Sequence, residues 1–242
     1  MSLIHSPRIV TSNLILALDA VNIKSYNGTT TWYDLSGYNN HGTMYGTVPT
    51  ATNDIPSFDF STVTGSGSLT ASMGFTFASN MIPTTGSFTI NCWIKNPPID
   101  SQIGMFSNAG AGDGYRFGVA STAAYVLIGG AGQVGYSEVH INFNYTLSVN
   151  TWYNVTVVFD RAGTNSAGIP QWQLYLNGIF QNSTNMVANQ SVAFTNTAPG
   201  LVRSPCCTLY NGKLSLFSAY SRALTSDEIA ENFNAHRGRY GI

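Results

Sequence analysis

Short runs of alternating apolar and polar residues, separated by glycine and asparagine, recur along most of the chain. This period of two constrains the fold more than any other feature, because successive side chains of a strand point to opposite faces. Leu14, Leu16 and Leu18 alternate with Ile15, Ala17 and Asp19, and residues 88–95 are rich in β-branched and aromatic side chains. In residues 152–160 (WYNVTVVFD), Tyr153, Val155, Val157 and Phe159 fall on one face, and Asn154, Thr156 and Asp160 on the other. That pattern predicts a strand with one face in water. Residues 115–120 and 125–128 read as strands joined by a small-residue turn, and Leu214, Leu216, Ser218 and Tyr220 alternate in the last strand. Residues 172–176, then Asn177-Gly178, then 179–181 predict a hairpin. Asn-Gly suits a type I′ turn, in which both central residues need positive φ.

One helix is predicted, over residues 225–236. Thr225 with Glu228 three residues on forms a capping box, and Leu224 and Ile229 are spaced as a hydrophobic staple. Ile229 and Phe233 share a face. Gly238 is the expected stop, with His236 and Arg237 in the last turn, where cations suit the dipole. Many short strands with one terminal helix predict an all-β fold, an antiparallel β-sandwich with one short C-terminal helix. Leu14, Leu16, Val155, Val157, Phe159, Leu174, Leu176, Leu214 and Leu216 are its expected core.

Composition narrows the function. The 242 residues are the size of a single all-β domain. Only 9% of them are charged, with 10 basic and 11 acidic side chains and a net charge of −1. Such a surface has no field for gripping nucleic acid or an anionic membrane, so neither is an expected partner. The 43% hydrophobic and 12% aromatic content is ample for a core. The longest apolar runs, such as residues 14–18, are far short of the roughly 18 residues that span a bilayer. The first ten residues hold Pro7 and Arg8 and lack the apolar stretch of a secretory signal. Cys92 shares a strand face with Ile90 and Ile94, and Cys206 and Cys207 are adjacent, which makes no disulfide framework. Folding in a reducing cytoplasm is expected.

Several blocks carry a specific resemblance. The opening runs from LILALDA at Leu14 through Thr31-Trp32-Tyr33-Asp34-Leu35-Ser36-Gly37 to Asn39-Asn40-His41-Gly42-Thr43. The close holds Gly212-Lys213-Leu214, Tyr220-Ser221-Arg222-Ala223-Leu224-Thr225 and Arg237-Gly238-Arg239-Tyr240. Between them lie Ser87-Phe88-Thr89-Ile90 with Trp93, Thr151-Trp152-Tyr153 and Leu174-Tyr175-Leu176-Asn177-Gly178. Together these resemble laminin-G-like, concanavalin A-like jelly-roll domains of the kind found in structural proteins of tailed bacteriophages. The resemblance implies that residues 13–242 form one such domain behind an N-terminal arm, residues 1–12. It assigns Trp32, Trp93 and Trp152 to packing. The chain departs from the family pattern at Phe58-Asp59-Phe60, where relatives carry an acidic Asp-Gly-x-Asp-Asp stretch and Ser-Thr-Val-Thr-Gly follows here.

The fold family includes glucanases, yet the acids for that chemistry are missing. Glycoside hydrolysis uses two carboxylates about 5–5.5 Å apart for retention. Of the three glutamates, Glu228 and Glu231 fall on the helix and Glu138 has no acidic neighbour within four residues. His5, His41, His140 and His236 are scattered, and no Gly-x-Ser-x-Gly elbow occurs. The chain is therefore expected not to be an enzyme. No metal-ligand set is assigned: the aspartates form no cluster, and Asp34 before Leu-Ser-Gly reads as an Asx-turn residue. A structural calcium assembled from distant loops is the one cofactor the resemblance leaves open. Glycan binding fits better, since sugars stack on aromatic faces and are oriented by amides and hydroxyls. Tyr115, Tyr125, Tyr136 and Trp172 are the candidate platforms, with Tyr145 and Tyr210 beside them; alternating aromatics are otherwise packing residues.

The expected function is that of a non-enzymatic virion protein of a tailed phage, decorating capsid, neck or tail. Its expected partners are other virion proteins, host-surface glycans and further copies of itself. A free or cell-surface carbohydrate-binding module is the alternative, and a glycan-degrading enzyme ranks last. Residues 1–12 either anchor the domain, with Ile9 and Val10 adding to a neighbouring sheet edge, or complete its own sheet.

Overall fold

The computed structural model describes residues 8–51, 54–64, 72–78, 83, 85–95, 103–107, 115–119, 123–128, 137–144, 146–163, 168–185, 200–202 and 208–242. The strands are β1 (Leu14–Asp19), β2 (Thr31–Trp32), β3 (Gly42–Tyr45), β4 (Phe58–Asp59), β5 (Gly74–Phe77) and β6 (Phe88–Lys95). They continue with β7 (Ile103–Ser107), β8 (Tyr115–Val119), β9 (Ala123–Ile128), β10 (Ser137–Asn142) and β11 (Trp152–Asp160). The last are β12 (Gln171–Leu176), β13 (Ile179–Asn185), β14 (Gly200–Leu201), β15 (Thr208–Leu209) and β16 (Lys213–Tyr220), followed by the helix α1 (Ser226–Tyr240). One sheet runs β1-β16-β6-β11-β12-β13, with β4 also on β16. The other runs β10-β9-β8-β7-β14-β5-β3-β2, with β15 also on β7. The pairings between them are antiparallel except β15 with β7.

The core between the sheets joins Leu16, Val155, Val157, Phe159, Leu174 and Leu176 of the first sheet to Phe75, Phe77, Phe117 and Val119 of the second. Trp32 and Phe58 meet edge-on at 4.6 Å, and Phe58 and Phe75 at 4.8 Å, so the Phe58-Asp59-Phe60 stretch is a core element here. The Asn177-Gly178 turn has φ of 50° and 75°, the left-handed pair that a type I′ hairpin requires.

All nine residues of β11 are buried, including Asn154, Thr156 and Asp160, which corrects the expectation of a face in water. The outer face of that sheet is covered by α1 and by residues 9 and 10. Tyr240 stacks on Trp93 with ring centroids 3.8 Å apart, and Phe233 stacks on the same indole at 5.7 Å. Val10, Leu14, Tyr175, Tyr220, Leu224 and Ile229 form a second apolar cluster there. The polar residues satisfy one another instead of water. Asn91 Oδ1 accepts from Asn154 Nδ2 at 2.7 Å and from Thr156 Oγ1 at 2.8 Å.

Every residue of the expected core is buried, but Leu14 and Leu216 pack on the outer face rather than between the sheets. The cause is a register shift between Leu14 and Leu16 on β1 and another between Leu214 and Leu216 on β16. An extra residue at a bulge turns the next part of the strand to the opposite face. The capping box at Thr225 and Glu228 is present. Gly238 is not the stop: the helix continues to Tyr240, and Gly241 at φ 75° closes it in the left-handed conformation. Residues 8–12 form no strand. The Val10 N–H donates to Asn232 Oδ1 at 2.9 Å, and the Tyr220 hydroxyl donates to the Val10 carbonyl at 3.0 Å.

Candidate functional site

An open groove of about 970 Å³ crosses the outer face of the first sheet beside the start of α1. The hairpin β12–β13 builds one wall. Trp172, Leu174 and Leu176 point inward, so Gln171, Gln173 and Tyr175 take the opposite face by alternation, and Phe180 and Ser183 line it from β13. The loop 221–226 between β16 and α1 builds the other wall. Thr89 positions that loop: its hydroxyl donates to the Arg222 carbonyl at 2.9 Å and accepts from the Leu224 N–H at 3.0 Å.

The rings of Tyr175 and Phe180 pack edge to face with centroids 5.5 Å apart, and Phe180 is 48% exposed, so an aromatic surface is open to a ligand. The Tyr175 hydroxyl donates to Gln173 Oε1 at 2.9 Å, which orients the Gln173 amide and leaves its NH₂ without a partner among the described residues. Burial pushes the Tyr175 phenol up, so it stays a neutral donor near pH 7. The Arg222 guanidinium holds Glu228 bidentately at 2.6 Å on both oxygens, which consumes the positive charge at the rim. Asp160 is the one carboxylate among the described lining residues, and it is 1% exposed. Among the described lining residues, amides, hydroxyls and an aromatic ring are the groups that bind a neutral polyhydroxylated chain, and no second carboxylate stands beside Asp160.

Of the expected platform residues, Trp172 is turned away from this groove. Trp172 is fully buried, with Phe159 at 4.0 Å and Phe88 at 5.9 Å, and its ring belongs to the core because it alternates with Gln171 and Gln173. Tyr210 is also buried, its hydroxyl donating to the Lys213 carbonyl at 2.7 Å and to that of Lys95 at 3.1 Å. The backbones of Tyr115 and Tyr125 lie on β8 and β9 of the other sheet, with Tyr125 paired to Gly118. Tyr136 and Tyr145 lie outside the described residues, as do Cys206 and Cys207. Trp32, Trp93 and Trp152 are packing residues, as expected. The groove residues Gln171, Gln173 and Phe180 were legible only as the outward half of the hairpin alternation.

Other acids are engaged locally. Asp34 Oδ1 accepts from the N–H groups of Ser36 at 2.9 Å and Ala17 at 2.8 Å, which is the expected Asx turn plus an anchor to β1. Among the described residues, no three His, Cys, Asp or Glu side chains gather as a metal site. No helix of the described residues is long and apolar enough to cross a membrane.

The profile of a family described as the concanavalin A-like lectin/glucanases superfamily matches residues 65–230. No curated protein matches the sequence. The fold is similar to the binding domain of botulinum neurotoxin DC, solved in complex with rat synaptotagmin II, with a TM-score of 0.66 and 18% identity over 92% of this chain and 51% of that one. It is similar to a structure of botulinum neurotoxin type C described as dependent for cell entry on two ganglioside molecules, at a TM-score of 0.66 and 18% identity over 92% of this chain and 51% of the other. It is also similar to the binding domain of Paraclostridial Mosquitocidal Protein 1, at 0.64 and 17% over 93% and 52%. The chain spans about half the length of these domains.

Proposed function

The chain belongs to the concanavalin A-like lectin/glucanase superfamily, and on that premise we propose that it is a non-catalytic module that binds a neutral oligosaccharide. The groove on the outer face of the β11–β13 sheet carries this reading, because it pairs the exposed Phe180 ring with the Gln171 and Gln173 amides and has no carboxylate couple among its described residues. The similarity to toxin binding domains, one of them described with gangliosides, supports a recognition role in outline. Screening the purified chain on a glycan array tests it. Binding is expected, and Phe180→Ala and Gln173→Ala each weaken it by about tenfold. Absence of binding to any glycan overturns the reading. So does turnover of laminarin, agarose or alginate that disappears in Glu138→Gln.

A setting for this activity comes from the opening block at 14–43 and the closing block at 212–240, which resemble jelly-roll proteins of tailed phages. In that setting the domain is displayed on capsid, neck or tail, docked to other virion proteins, and turned toward host-surface glycans. Stoichiometric recovery of the chain from purified particles by mass spectrometry supports it, and its absence from them overturns it.

A further inference from the structure

A second cavity opens on the same outer face and shares no lining residue with the groove. It lies between the second half of α1, β1, residues 9–11 and the turn at 35–36. Its volume is about 340 Å³, near the low end of the roughly 300–1,000 Å³ of small-molecule sites, which admits one ring rather than a chain.

Its polar lining holds hydrogen-bonding capacity that the fold does not use. Asn91, at 2% exposure, accepts two bonds at Oδ1 but donates one, to Ser218 Oγ at 3.3 Å. Asn232, at 3% exposure, accepts from Val10 and donates one bond, to the Tyr220 hydroxyl at 3.1 Å. Each amide keeps a second N–H with no partner among the described residues. His236 Nδ1 lies 3.1 Å from the Asn232 carbonyl. A carbonyl only accepts, so Nδ1 holds the proton and Nε2 presents a lone pair, again without a partner among the described residues. Burial and the nearby Arg239 cation push the imidazole down from its ordinary value, against the Asn232 bond and Asp19, which favours the neutral ring.

The charge in the lining is already matched. One Arg239 guanidinium nitrogen donates to both oxygens of Asp19, at 2.9 and 2.8 Å. A phosphate or carboxylate therefore finds no free cation here. A purely apolar ligand would leave two buried amide donors and one acceptor unmet. A sugar ring meets both demands, with hydroxyls for the amides and imidazole and C–H groups for Leu14, Ala17 and Leu216.

We propose that this cleft binds a single neutral polyhydroxylated ring, a monosaccharide or the terminal unit of a glycan, with Asn91 and Asn232 as donors and His236 Nε2 as acceptor. The site is independent of the groove.

Titration of the ¹⁵N-labelled full chain with glucose, galactose, mannose, N-acetylglucosamine and myo-inositol tests it, with methyl glycosides separating a free sugar from a chain end. Saturable shifts are expected at the backbone amides of residues 232–239 and 14–19. His236→Leu weakens binding by about tenfold, and His236→Gln, which keeps an acceptor, restores most of it. Thr11→Trp, at an exposed position on the rim, blocks entry without touching the core. Phe180→Ala leaves these shifts unchanged, so failure of the groove reading and failure of this one are distinguishable. No saturable shift with any sugar overturns the proposal. Shifts that survive both His236→Leu and Thr11→Trp overturn it too, as does inorganic phosphate binding to the same residues.

Discussion

Asp54 and His236 sit on the same covered face and respond to acid in different ranges. Asp54 is part-buried, which alone would raise its carboxyl. The bonds from Lys95 at 2.7 Å, Lys213 at 3.0 Å, the Ile55 N–H and Trp152 Nε1 outweigh this and hold it well below the ordinary 3.8. A depressed carboxyl stabilises the fold above its unfolded value, and that contribution is lost as pH falls below about 3.8 toward the folded value. His236 is depressed from 6.5. Below that value the unfolded chain takes up a proton that the folded chain refuses, so stability declines as pH falls below about 6.5. Urea titrations at stepped pH are expected to show loss of stability in two ranges. His236→Leu removes the upper one, and Asp54→Asn flattens the lower one while reducing stability at pH 7. A stability profile that is flat between pH 7 and 5 in the wild type would overturn the assignment to His236.

Elements dock through contacts that leave little room for change, and the hairpin β12–β13 shows this most directly. Gly178 combines φ of +75° with a position where an added Cβ would lie 3.0 Å from the Phe233 side chain on α1. Gly178→Ala therefore strains the turn and pushes the helix from the sheet at once. A cost of about 2 kcal/mol is expected, read as a fall in Tm of roughly 4–8 °C for a chain of this size. An unchanged Tm would show that the turn and helix yield freely. The hairpin itself was legible in the sequence because Asn177-Gly178 is local chemistry, and so was the capping box, whose partners are three residues apart. Two features were hidden for the opposite reason. Asn154 and Thr156 are polar and read as wet, and only α1, some seventy residues later, shows that they are covered. The register shifts near Leu14 and Leu214 are set by the partner strand, so the alternation gave the right residues as buried and the wrong face for two of them. The groove was hidden for a third reason: residues 171–183 and 221–226 meet only in the folded sheet.

At the scale of the molecule, two segments far apart in the sequence, residues 9–10 and α1, cover one sheet. α1 shields Trp93, Trp152 and Leu216, and residues 9 and 10 join the cluster around Tyr220 and Ile229. A chain ending at Arg222 would expose that apolar face, which is expected to abolish cooperative unfolding and produce strong binding of the dye ANS. A sharp, two-state urea transition in that truncation would show that the sandwich stands without its helix. The pairing of β1 with β16 has a further consequence for how the protein is made. Leu14 lies opposite Tyr220, so β1 has no strand partner among the described residues until β16 has left the ribosome. At roughly 5–20 residues per second of synthesis, β1 waits on the order of ten seconds or more as an unpaired edge, exposed to other nascent chains. Contacts of such long sequence separation also make closure slow once the chain is released. A product terminated before residues 213–220 cannot pair β1, so the topology ties closure of this edge to the synthesis of β16.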